Sequence, residues 1–299
     1  MTATTARAMP DESLTPVQGG PAAEPFIAAR AGRAPRYGAK PARPTSLVIL
    51  IVVGGLFLLP IVAMAIFSFR SNQGGYTVGH YLDVFNPALE YTYDGLFVGI
   101  QNSLGLCVIT VAIILVLLLP VMILTELRYP RLRRVLEFVC LLPITIPTVV
   151  LVVGFIPVYS VLSQLLGSDA WTLGFAIGVI ALPYAYRPIA VNLAGVDVVT
   201  LTEAARSLGA GWLPVLWRVV IPNLRRGILA ACFITIAVVL GEYTIASFLS
   251  RTTFQTALVL IQHSDPYVAV IFSLIALLLA FVLLLAIGRL GAIRPRSKD

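Results

Sequence analysis

Six stretches of this chain are nearly unbroken runs of apolar residues, separated by polar segments. The runs predict helices over residues 47–69, 97–124, 135–165, 171–192, 227–248 and 268–287. Each holds close to the twenty or so residues that a helix needs to cross a hydrocarbon core of roughly 30 Å. The third carries Pro143, Pro147 and Pro157, which predicts kinks or a break. A membrane accepts these where neighbouring helices or water take up the freed carbonyls, so both a lumen-lining and a packing role fit. Residues 70–96 and 250–267 read as polar loops; the first holds Tyr76, Tyr81, Tyr91 and Tyr93 with Asp83, Glu90 and Asp94.

One polar stretch has a helical pattern of its own. Leu201 to Pro222, between the fourth and fifth runs, is amphipathic and is interrupted by Gly209 and Gly211. Thr200 and Glu203 stand at capping-box spacing, which predicts a helix start there. Glu203 and Arg206 stand at i,i+3 and can pair. About nine residues remain before glycine ends the helix, roughly 13 Å of rise. Ala204, Ser207, Leu208 and Gly211 lie on one face that could enter a shallow groove on another protein. A helix lying on lipid would want bulk there.

Composition sharpens this picture. Of 299 residues, 59% are hydrophobic and only 12% charged, with mean hydropathy +0.94. A soluble domain carries roughly 25% charge, so the apolar surplus faces lipid. The net charge of +7 does not imply nucleic acid, because the basic residues are scattered at the ends of apolar runs. They read as topology determinants instead. With the N-terminus inside, 18 Lys and Arg fall on one side and 2, Arg70 and Arg251, on the other. That asymmetry places both termini and the 201–222 loop in the cytoplasm. Residues 1–45, rich in proline and without apolar periodicity, read as a disordered cytoplasmic tail. Residues 46–290 form the six-span domain, and 291–299 a second cytoplasmic tail. Cys107, Cys140 and Cys232 fall inside apolar runs and read as small buried hydrophobes.

Glu203-Ala204-Ala205, then Gly209, then Ile221-Pro222 resembles the EAA loop in permease subunits of bacterial type I ABC importers. Its proline follows Ile221 directly, and Leu208 stands where an acidic residue is common; neither change removes the small-residue face or the glycine stop. The resemblance extends over roughly residues 97–290. It implies an all-α membrane protein of six spans with a cytoplasmic coupling helix between spans four and five. Glu203, Ala204, Ala205, Arg206, Gly209 and Pro222 are then the residues that couple to a separate ATP-binding cassette ATPase. The further partners implied are a second permease, identical or homologous, an extracytoplasmic solute-binding protein and the bilayer. The run Gly241-Glu-Tyr-Thr-Ile-Ala-Ser-Phe248 is similar to the spermidine/putrescine group, which shades into permeases for ferric iron, thiamine, phosphonate and sulfate.

Few residues could carry chemistry. Glu242 lies 16 residues beyond Arg226, roughly 24 Å along a helix, and an ionisable residue inside a span is a functional candidate. Two readings stand: a carboxylate on the path of a cationic solute or at an outer gate, with Tyr243 beside it, or a packing Glu bonded to a neighbouring helix. Arg187 near the inner end of the fourth span reads as a snorkelling cation. Gln101 and Asn102 read as capping the second span. His80 and His263 fall in outer loops without metal spacing. No Walker A loop, Gly-x-Ser-x-Gly or His-Glu-x-x-His run occurs, so this chain is not expected to hydrolyse ATP itself and any energy comes from another subunit or an ion gradient; no cofactor, metal or catalytic group is expected. The reading from another class is a secondary transporter, which would show inverted repeats or paired intramembrane charges; neither is evident.

Overall fold

The computed structural model describes residues 43–71, 74–84, 86 and 90–292. Apart from their inner ends, the tails expected over 1–45 and 291–299 lie outside these residues. The chain divides into two units, Met1–Gly55 and Leu56–Asp299. Of the first, the described part is the leading half of helix α1 (Arg43–Ser68), and its Leu47–Val53 side chains are all exposed.

The second unit continues α1 and adds α2 (Gly79–Asp83), α3 (Glu90–Arg128), α4 (Arg133–Thr145), α5 (Thr148–Leu166) and α6 (Leu173–Ala194). Then come α7 (Val198–Ser207), α8 (Trp212–Val215), a π turn over Leu216–Val220, α9 (Ile221–Asn223) and α10 (Arg225–Leu240). The short α11 (Thr244–Phe248), α12 (Phe254–Ser264) and α13 (Pro266–Ala292) complete it. Among the described residues the only extended pairing is an isolated bridge between Arg70 and Tyr76. Among the described residues four helices are long and apolar enough to cross a membrane, and a fifth span arises if the bent pair 212–223 and 225–240 is taken as one.

The core lies where α3, α4, α6 and α10 meet, with Leu118 and Ile123 against Ala181, Ala185 and Ile189 and with Ala231 and Cys140 alongside. Lipid tails are as apolar as leucine, so helix association here relies on close packing of small residues. Gly174 shows this: a Cβ there would come within 2.9 Å of Ile109 Cγ2.

The helix boundaries differ from those expected in three places. The third run divides into α4 and α5, because Pro147 forces Ile146 out of the helix to φ −102°, ψ 127°; α5 alone keeps spanning length. The fifth ends at Leu240 rather than Phe248, and Gly241 to Tyr243 separate α10 from α11. The second begins at Glu90, and 39 residues give it about 58 Å of length, well beyond the hydrocarbon core. Segments expected as polar loops also hold helices: α2 in 70–96, and the eleven-residue α12 in 250–267.

Candidate functional site

The stretch between α6 and α10 begins at Asp197, whose carboxylate accepts the Thr200 amide at 3.0 Å and the Thr200 hydroxyl at 2.7 Å. Asp197 therefore caps α7, and the expected Thr200–Glu203 capping box does not form. The Thr200 hydroxyl, then its amide, hold the Asp197 carboxyl below its ordinary value. Helix α7 ends at Ser207, and Gly209 takes φ +83°, a left-handed conformation that suits glycine.

The helix has two faces. Val198, Thr202 and Ala205, at i, i+4 and i+7, turn inward; Val198 is 1% and Thr202 6% exposed, and Ala205 packs on the core. Glu203, Ala204, Arg206 and Ser207 are exposed, as are Leu208, Gly209 and Gly211. The small-residue face is thus outward, and Ala205 belongs to the seat rather than to that face. The Glu203–Arg206 pair is not among the ion pairs of the described residues, which are Arg133–Glu126 and Arg187–Glu137.

Beyond Gly211 the chain turns back through α8 and the π turn. Val215, Val220 and Leu224 are fully buried or nearly so. Pro222 has no N–H to give a carbonyl of the preceding turn, which removes one rung at the end of the π turn. Two residues later the axis bends by 74° into α10. Pro222 therefore shapes the return leg and stands apart from the exposed α7 face. Leu208, Trp212 and Leu213 are 88, 43 and 65% exposed, an apolar knob beside that face. Nothing in the hydrophobic pattern signals that Trp212 and Leu213 point outward, because a tryptophan beside a span is equally an interfacial or a core residue.

At the other end of α10 the helix breaks. The Leu240 carbonyl accepts from Gln255 Nε2 at 3.1 Å, and the Glu242 carboxylate accepts the Ile245 amide at 2.6 Å. Glu242 thus closes the first turn of α11, and neither of its two expected settings, a carboxylate in open path or a bond to another helix, describes this contact. Tyr243 lines an open cavity of about 850 Å³, whereas Glu242 does not. The two residues expected together on the path face different surroundings. Arg187 reaches Glu137 on α4 at 3.7 Å rather than only snorkelling. Asn102 lies inside α3, not at its start, and donates to the Thr252 carbonyl at 2.8 Å. His80 stacks on Tyr267 at 4.4 Å.

Residues 123–296, the last turns of α3 through the C-terminus, match the family described as binding-protein-dependent transport system inner membrane component. The chain belongs to this family. Its matched region takes in α7 and both helices flanking it. The chain is also 26% identical over 215 residues to the probable ABC transporter permease protein y4fN of Sinorhizobium fredii, covering 70% of this chain and 38% of that one. Over 224 residues it is 25% identical to the spermidine/putrescine transport system permease protein PotB of Haemophilus influenzae, covering 68% of this chain and 73% of that one. The family makes the chain a component of a membrane transport system, and it spans well under half of the first of these relatives and nearly three quarters of the second.

Proposed function

We propose that this chain is the permease subunit of an ATP-binding-cassette importer, with α1, α3, α5, α6, α10 and α13 as six spans and both termini in the cytoplasm. The observation that carries the reading is α7, a short helix seated on the core by one face and bare on the other, at the turn between two spans. An exposed helix with glycine at its end and an apolar knob beside it is suited to enter a cleft on a separate ATPase. Closure of an ATPase dimer would draw α7 with it, and its buried seat would pass the motion to α6 and α10. A second permease and an extracytoplasmic solute-binding protein complete the assembly in this reading.

The name of the Haemophilus relative supports a polyamine as the solute, with ferric iron, thiamine, phosphonate and sulfate as the other solutes of similar permeases. A second reading, a solute with an acidic group in place of a polyamine, rests on the cavity beside Tyr243, which holds a cation and no carboxylate.

The test is Glu203→Lys on the exposed face of α7. The variant and the native chain are co-purified from membranes with a candidate ATP-binding cassette ATPase, and ATP-driven uptake is measured in vesicles. The expected result is normal insertion with uptake reduced at least about tenfold. Unchanged uptake and unchanged ATPase recovery would overturn the coupling role and move a secondary transporter to the front.

A further inference from the structure

We propose that Arg251 anchors a solute site at the far end of α10 from the coupling loop, and that the group it binds is an oxyanion of the transported solute. The inference rests on the permease reading and adds the chemical class of the cargo.

Arg251 lines the 850 Å³ cavity together with Tyr243, Ser247, Ser250, Thr252 and His263, and none of the fifteen lining residues is acidic. Its position is fixed from several directions. Ser250 adopts φ 53°, and the Arg251 amide donates back to the Ala246 carbonyl at 2.8 Å. A left-handed residue and a six-to-one bond of this kind close a helix end, here that of α11. The guanidinium carbon lies 5.7 Å from the centroid of the Tyr159 ring, and Nε donates to Tyr159 Oη over 3.4 Å.

The tyrosine is itself oriented. Thr172 donates its proton to the Asp169 carbonyl at 2.7 Å, so in the short contact between Tyr159 and Thr172 it is the phenol that donates. A lone pair of the phenol oxygen then remains for Arg251. Tyr159 is 6% and Thr172 0% exposed, so the support is buried.

This anchoring uses Nε and leaves the Nη groups free of any carboxylate among the described residues. The Tyr243, Ser247 and Ser250 hydroxyls likewise have no hydrogen-bond partner among them. A held guanidinium with hydroxyls around it presents forked donors that match carboxylate, phosphate or sulfonate. In a half-enclosed cavity that attraction is larger than in water. Topology offers no other reason for the charge, since arginine is disfavoured on the outer side, where the charge count places residue 251. A bare polyamine meets only positive charge here.

The test uses the full chain in phosphatidylcholine nanodiscs, with radiolabelled inorganic phosphate and radiolabelled putrescine as probes. Native chain is expected to bind phosphate saturably, and putrescine neither to bind at this site nor to compete. Arg251→Gln is expected to weaken phosphate binding at least about tenfold, as befits a charged hydrogen bond. Tyr159→Phe keeps the ring and removes the Nε acceptor, so a smaller loss is expected. Phosphate binding unchanged in both variants, or putrescine bound in preference by the native chain, would overturn the proposal. A second set of discs contains phosphatidylglycerol: if that lipid abolishes phosphate binding, the site belongs to a headgroup and the cargo assignment fails. Recovery of the ATPase with Arg251→Gln reads the permease assignment separately, because α7 is untouched.

Discussion

Gly227 at the start of α10 lies so close to Asn192 near the end of α6 that a Cβ there would come within 2.6 Å of Asn192 Cβ and 2.8 Å of the Pro188 carbonyl. The two helices that flank the α7 loop therefore meet at the loop's own base. Under the proposed coupling role, motion imposed on α7 would reach both helices through that contact.

Gly227→Ala cannot be relieved by a side-chain rotation, because one of the atoms it meets is backbone. The helices must separate, and overpacking of this kind costs about 1–3 kcal/mol. The expected outcome is a lower melting temperature in detergent, with uptake falling more than the amount of inserted protein. A variant with native stability and native uptake would mean that α6 and α10 slide freely at this point.

One face of α3 holds the segment after α11. A Cβ on Gly99 would come within 2.6 Å of the Thr253 carbonyl oxygen, Asn102 donates to the Thr252 carbonyl, and the Ser103 hydroxyl accepts the buried Phe254 amide at 2.8 Å. Ser103→Ala leaves that amide without a partner, at about 1–3 kcal/mol. Faster hydrogen exchange across α12, with α3 unchanged, is the expected result.

Much of this architecture can be read from apolar run length alone, because a span announces itself by composition. The break between α4 and α5 is visible as a cluster of prolines, but which of the three acts is not. Only Pro147 has a preceding residue, Ile146, in extended backbone. Helix α12 escapes the pattern because Phe254–Ser264 is too short for a span. What holds it is a Thr253–Thr256 capping box and contacts to α3, some 150 residues away in sequence. The start of α7 is ambiguous in sequence for a related reason. Two capping residues, Asp197 and Thr200, compete for one helix start, and the carboxylate prevails by engaging both the amide and the hydroxyl of the other. The Arg251–Tyr159–Thr172 arrangement has no local signal, since its members come from three separate segments.

Glu242 accepts an amide hydrogen, so its role divides by substitution. Glu242→Gln keeps an oxygen for the Ile245 amide and removes only charge; Glu242→Leu removes both. If the carboxylate serves α11, the glutamine variant retains uptake and the leucine variant loses stability. If charge on a cation's path is the function, both lose uptake alike. Melting temperature and vesicle uptake, measured together, separate the two.

Gly209 tests the outward geometry of α7 and the coupling role proposed for it. Its φ is +83°, and a Cβ added there would meet nothing within 4 Å. A side chain therefore has room but the wrong backbone, which costs about 1–2 kcal/mol. Gly209→Ala is expected to re-aim the Ala210–Trp212 turn without disturbing the spans. Uptake and ATPase recovery should fall while the melting temperature moves by only a few degrees. An unfolded variant would instead show that the turn supports the whole domain.

Asp197 gives the start of α7 a pH dependence with a defined sign. Its carboxyl is depressed in the folded chain by the Thr200 hydroxyl and amide, so the cap's contribution is present above the ordinary carboxylate value. It is lost as pH falls through the depressed one. At neutral pH α7 carries its charged cap; acid leaves a neutral carboxyl that still offers an oxygen, so the helix start loosens rather than unfolds. Asp197→Asn keeps an oxygen acceptor and is expected to hold the helix at every pH, with no acid transition. Asp197→Ala should fray α7 at neutral pH as well. The readout is hydrogen exchange of the 198–201 amides, corrected for intrinsic rate, between pH 7 and pH 3. Acid fraying that persists in Asp197→Asn would place the titrating group elsewhere.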